Sequence, residues 1–242
     1  YASTLIARYN EELAGRQALA AGRQLPAPAI EPRIRVWYNP QLESRDFMVP
    51  GIVALLLLVI TTNLSSMAIV RERELGTLEQ LNVTPLSRWE LILGKLLPYG
   101  IIGIIDVLVV TIAAVLWFQL PLRGSPILLF VSSLVYLLTT LGLGLFISTI
   151  SGTQQQAMMT GTFFFLMPML YLSGFIFPIE NMPEVIQPVT YLIPLRYFIV
   201  IVRGIFLKGV GLDVLWPQLL ALLGWGLAIV GLAVARSRKT LA

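Results

Sequence analysis

The sequence predicts an all-α polytopic membrane protein, and three observations predict it. Of the 242 residues, 57% are hydrophobic and 12% charged, whereas a soluble domain carries roughly 25% charged residues. Five apolar stretches run 21 to 24 residues each, and crossing a hydrocarbon core of about 30 Å takes about 20 residues at about 1.5 Å apiece. Only one charge, Asp106, falls inside them, as expected where a mid-bilayer charge costs about 2.5–3.5 kcal/mol. A mean hydropathy of +0.81 points the same way.

Residues 1–47 precede the first span. Over 3–21, Leu5, Tyr9 and Leu13 recur every four residues and Gly22 stands at the C-cap position, which predicts a helix. Leu25–Pro32 is a proline-rich connector. Arg33–Tyr38 alternates, with Ile34, Val36 and Tyr38 on one face, as a half-buried strand does. Forty-seven residues are too few for a core of their own. The segment reads as the closing part of an α/β domain that begins upstream, with at least one more span before it.

The transmembrane part, 48–242, holds spans over 48–70, 96–118, 127–150, 157–177 and 214–235. Pro50, Pro98 and Pro217 stand near span starts, where a missing N–H costs little. Pro168 lies mid-span and is expected to kink or break its helix. Trp89, Tyr99, Trp117, Phe118 and Trp216 fall near span ends, as interfacial belts require. A sixth apolar stretch, Tyr191–Leu207, contains Arg196 and Arg203. It reads as a re-entrant or interfacial helix with both arginines on its polar side; a poor sixth span is the alternative. Lys and Arg residues near span ends divide evenly between the two sets of loops, so charge bias gives no orientation.

The most informative polar segment is RERELGTLEQLNVTPLSRWELILGKLLP, residues 71–98. Leu75, Leu78 and Leu81 recur every three residues among Glu72, Glu74 and Glu79, which predicts a short amphipathic helix over 71–81 at the membrane surface. Pro85 marks a turn. Ser87 and Glu90 form a capping box for the next helix. The alternative is a solvated loop.

The run AIVRERELGTLEQLNVTPLSRWELILGKLLPY resembles the permease subunits of type-2 ABC exporters, in the drug-efflux and polymer-export branch. WYNPQLESRDFMVPG before the first span and PLRYFIVIVRGIFLKG, residues 194–209, resemble the same family. The resemblance covers about residues 33–240. It implies a helical bundle of six spans, five of them visible here, a soluble extracytoplasmic domain between the first two, and a dimeric pathway. Residues 71–81 would be a coupling helix seated in a separate ABC ATPase subunit, which places 71–95 in the cytoplasm. Arg71, Glu72, Arg73, Glu74, Thr77, Glu79 and Gln80 would contact that ATPase, and Gly76 would allow close backbone approach. Re-entrant helices would occupy about 178–207.

The expected partners are therefore ABC ATPase subunits, a second permease copy or a sister chain, membrane lipids and a periplasmic adaptor, in a bacterial inner membrane. ATP and Mg are expected on the ATPase. The nearest phosphate-loop candidate ends in Gly94-Lys95-Leu96, with Trp89 at the first glycine position and no hydroxyl after the lysine. Lys95 reads as an interfacial anchor. With no cysteine and no histidine, Cys/His zinc sites and histidine-activated nucleophiles are excluded, and no catalytic set or metal site stands out. The net charge of +4 is carried beside apolar spans, which suits lipid head groups better than nucleic acid.

Asp106 is a candidate pathway residue, with a structural hydrogen bond as the alternative. Asn63 and Ser66, within the polar run Thr61, Thr62, Asn63, Ser65 and Ser66, face either the pathway or a neighbouring helix. Phe164, Met167 and Tyr171 offer an adaptable apolar wall, or simply face lipid. Gly142, Gly144 and Ser148, and Gly224 with Ala228, suit close helix contacts. The cargo is expected to be hydrophobic or amphipathic: drug-like, lipid-like or glycan-linked. An ion-coupled secondary transporter using Asp106 is the alternative.

Overall fold

The computed structural model describes residues 44–76 and 88–237, together with Tyr9 and Glu12. The chain divides into two units, Tyr1–Leu42 and Glu43–Ala242. In the first, Tyr9 and Glu12 are helical and exposed. The connector and the strand expected over 25–38 lie outside the described residues.

Among its described residues the second unit is built of helices joined by short turns, with no strand. In chain order it has α1 (Ser44–Glu74), α2 (Arg88–Leu116), α3 (Pro126–Ile150), α4 (Gln154–Met159), a π-wound stretch (Thr160–Leu166) and α5 (Met167–Leu172). Two 3-10 turns follow (Ile179–Asn181, Gln187–Leu192), then α6 (Pro194–Arg203), a second π-wound stretch (Gly204–Lys208) and α7 (Leu212–Ser237). Among the described residues, four helices are long and apolar enough to cross a membrane: α1, α2, α3 and α7. The fourth expected span is the continuous winding Gln154–Leu172, whose middle is π rather than α. At about 1.5 Å per residue it reaches about 28 Å.

Several expected boundaries shift. Pro50, Pro98 and Pro217 lie inside α1, α2 and α7 rather than at their starts. Hydropathy marks where the apolar residues begin, and these helices begin earlier, in polar residues outside the hydrocarbon layer. Neighbouring helices and local adjustments re-satisfy the freed carbonyls, so interior prolines are tolerated in membrane helices. Pro168 does not break its helix. It stands at the first turn of α5, directly after the π stretch, so its missing N–H falls where the winding changes. The fourth span ends at Leu172, not 177, and Gly174 at φ +81° turns the chain.

Of the segment 71–81, residues 71–76 are described. Arg71–Glu74 are the last turn of α1, not the start of a separate surface helix. Gly76, at φ +72°, then turns the chain in a conformation that suits glycine. Residues 77–87 lie outside the described residues, and with them Thr77, Glu79, Gln80 and Ser87.

The core is built around α3, whose most extensive partners are α7 and α1. Helix α6 packs against α1, α7 and α3. Leu195, Phe198, Ile201 and Phe206 in this region are fully buried, and Phe198 stacks on Tyr136 of α3 with ring centroids 4.0 Å apart. As expected, α6 is short and carries Arg196 and Arg203 on one side, half-buried and opposite the buried Leu195, Phe198, Ile201 and Val202. The guanidinium of Arg203 donates to the carbonyls of Gly174 (3.0 Å) and Phe175 (3.3 Å) and lies over the Phe47 ring. Arg196 donates to Thr190 Oγ1 and lies 3.8 Å from the Tyr191 ring centroid. Both arginines find partners inside the protein.

Candidate functional site

Two places gather the chemistry, and the polar run of α1 lies between them. Thr61 Oγ1 bonds to Thr140 Oγ1 at 2.7 Å, and Thr62 Oγ1 donates to the Thr140 carbonyl at 3.2 Å. Ser65 Oγ donates to the Leu141 carbonyl at 3.4 Å. Gly144 lets the backbones approach: a Cβ there would lie 2.7 Å from both the Thr62 carbonyl oxygen and Ser65 Cβ. This face of α1 is a seam with α3. Ser66 is buried and donates to the Asn63 carbonyl at 3.0 Å, within its own helix. Asn63 gives its amide N–H to Val59 (2.9 Å) and aims its Oδ1 at Gly161 of the π stretch. Of the expected glycine contacts, Gly142 and Gly144 meet α7 and α1, but Gly224 meets nothing within 4 Å and Ala228 is exposed. Gly226, packed on Thr139 and Leu138, takes that role. Either face of α7 has small residues, and α3 selects one.

The first place is a joint at the Glu74 end of α1. Glu72 pairs with Lys95 of α2. Arg73 Nη1 donates to the Ser151 carbonyl at the end of α3, 3.0 Å away. Glu74 Oε1 accepts the backbone N–H of Gln154 at 2.9 Å, and its Oε2 accepts from the Gln154 side-chain amide. Glu74 thus caps the start of α4, where exposed N–H groups and the helix dipole favour an anion. Within three residues α1 grips α2, α3 and α4. Lys95 is more than an interfacial anchor, and Ser151 and Gln154 had no sequence signal, because their partners lie about eighty residues away. Arg71, Leu75 and Gly76 stay exposed.

The second place is a pocket of about 230 Å³ between the π stretch, α7 and the α6 approach. Its floor includes the buried Leu143, Met169 and Ile229, and its rim the exposed Phe164, Leu192 and Leu232. Trp225, at the middle of the 26-residue α7, lines it and donates its indole N–H to the Tyr191 carbonyl at 3.3 Å. The pocket therefore lies level with the middle of α7. Phe164, Met167 and Tyr171 form an exposed stripe, and of the three only Phe164 reaches the pocket. Asp106 is brought to neither place: it is half-buried on α2, and its Oδ2 has no hydrogen-bond partner among the described residues.

The family model described as ABC-2 family transporter protein matches residues 1–235. The chain belongs to this family. As an ABC-2 family chain with four helices long enough to cross a bilayer, it is a multi-pass membrane protein. It is 36% identical over 223 residues to the "Probable multidrug ABC transporter permease YbhR" of Escherichia coli K12, covering 92% of this chain and 58% of that one. It is 39% identical over 214 residues to "Probable multidrug ABC transporter permease YbhS", covering 88% and 57%. It is 30% identical over 221 residues to "Inner membrane transport permease YhhJ", covering 89% and 57%. This ABC-2 chain spans a little over half the length of the curated relatives it matches.

Proposed function

We propose that this chain is the transmembrane permease part of an ATP-driven exporter in a bacterial inner membrane, moving a hydrophobic or amphipathic compound out of the cytoplasm. It works as a dimer, with an identical or sister copy, and hands its cargo to a periplasmic adaptor. A separate subunit binds ATP and Mg and hydrolyses the nucleotide. The observation that carries the reading is the alignment of nearly the whole chain with permeases named for multidrug ABC transport. The joint around Glu74 supports it physically. A permease moved by an external motor needs a stiff connection from the motor's contact to several helices, because such transitions move packed helices as bodies. Arg71 and Leu75 project from the last turn of α1 and from just beyond it, and that turn holds α2, α3 and α4.

The test is gentle purification of the chain in its native membrane, followed by identification of what accompanies it and by reconstitution. The expected result is an ABC ATPase in the complex and ATP-dependent movement of a lipophilic dye in proteoliposomes. Transport that survives ATP depletion and collapses with the ion gradient would overturn the reading in favour of a secondary transporter.

A further inference from the structure

The fourth span keeps a stride that an α-helix cannot hold. Ala157, Gly161 and Met169 are buried and Phe165 is half-buried, so the inner row repeats every four residues. Met159, Phe163, Met167 and Tyr171 are exposed and also repeat every four. At about 3.6 residues per turn, four residues overshoot a full turn by about 40°, so three such steps would carry a row about 120° around the helix. Both rows nevertheless keep to their faces. Ala157 packs with Val70 of α1 and Ile147 of α3. A Cβ on Gly161 would lie 3.3 Å from Asn63 Oδ1 and 3.7 Å from Ile147. Phe165 meets Phe146 of α3 edge-on, with ring centroids 6.2 Å apart.

The π stretch supplies the difference. The Thr160 N–H reaches the carbonyl of Gln156, four residues back, whereas the Met167 N–H reaches that of Thr162, five back. One surplus residue is therefore held in the winding, and it removes about 100° of rotation. The drift of about 120° falls to about 20°. Pro168 follows at once, in the first turn of α5. In a continuous α-helix its ring would press on the Phe164 carbonyl, four residues back, and it has no N–H to offer. An extra residue ahead of the proline takes that carbonyl off the line of the ring.

We propose that Pro168 is the positioning residue of the fourth span: by holding one surplus residue in the π stretch, it sets which side chains face the bundle and which face outward. The proposal rests on the exporter reading only for what the outer row meets; the winding itself requires no ATPase. The chain has no cysteine, so a nitroxide on one introduced cysteine reports a single position. Residues 155–172 are labelled in turn in the full chain in lipid nanodiscs, and collision with oxygen, which concentrates in lipid, is measured. In the unaltered chain the least accessible positions of the two halves should fall at Gly161 and Met169. In Pro168→Ala the span should wind as α throughout, which brings the two minima one residue closer in sequence. Deleting Phe164 from Pro168→Ala takes out the surplus residue and should return the minima to Gly161 and Met169, a rescue that a proline acting only by packing would not allow. Minima one residue closer in the unaltered chain overturn the proposal even if no variant folds. Unshifted minima in Pro168→Ala, or a deletion that fails to restore them, overturn it as well. An unshifted Pro168→Ala chain that still moves dye with ATP removes this proposal and leaves the exporter reading standing; shifted and rescued minima in a chain whose transport needs no ATP do the reverse.

Discussion

Gly144 and Gly224 look alike in sequence, each a glycine in an apolar helix, and the structure separates them. A Cβ on Gly144 would lie within van der Waals overlap of α1, whereas one on Gly224 meets open space. Gly144→Ala should therefore push α1 from α3 and lower stability by about 1–3 kcal/mol, the usual range for overpacking. Gly224→Ala should be neutral or slightly stabilising, since alanine is the better helix former by about 1 kcal/mol. Thermal unfolding of the two variants in detergent, followed by size-exclusion recovery, checks the contrast; equal loss in both would mean that the α1–α3 contact is not tight. The small residues were legible as contact formers, but not which face of α7 they serve. Thr139 and Leu138 of α3 make that choice by seating Gly226, and no periodicity within α7 announces it.

Among the elements, the helix α1–α3 seam is polar as well as close. Thr61 and Thr140 share a hydroxyl–hydroxyl bond at 2.7 Å. Interhelical bonds of this kind average about 0.6 kcal/mol of coupling in membrane proteins, and reach about 1.7 kcal/mol at most. A double-mutant cycle with Thr61→Val and Thr140→Val, read by unfolding in mixed micelles, should give coupling within that range; additive effects would show that each hydroxyl is satisfied by its own helix instead. Such a self-satisfied state has a visible route, since Thr61 Oγ1 also reaches the Leu57 carbonyl at 2.5 Å and Thr140 Oγ1 the Leu137 carbonyl at 3.2 Å. Span centres were legible because lipid demands runs of apolar residues. Span ends were not, because α1 and α2 continue into polar sequence. Around α6 the side bearing the two arginines was legible, but not the carbonyls, hydroxyl and aromatic rings that receive them, because those lie on other segments.

For the whole molecule, the charges of the 71–76 segment divide by what they touch. Glu72, Arg73 and Glu74 bind the chain's own α2, α3 and α4, while Arg71 is exposed. The sequence displayed all four alike, as a charged run, and could not show which of them bond within the chain. If an ATPase seats here, docking and transmission depend on different residues. Arg71→Glu should weaken association with the ATPase and leave the permease's own unfolding temperature unchanged, because it removes no bond within the described bundle. Glu74→Gln should leave association intact but weaken the link to α4, where a carboxylate is best placed to accept from the helix start. Its expected mark is ATP hydrolysis that continues while transport per ATP falls severalfold. Pull-down, hydrolysis and vesicle transport measured on the same preparations separate the two. Loss of association in Glu74→Gln with Arg71→Glu unaffected would reverse the assignment and place the motor on the α4 side of the joint.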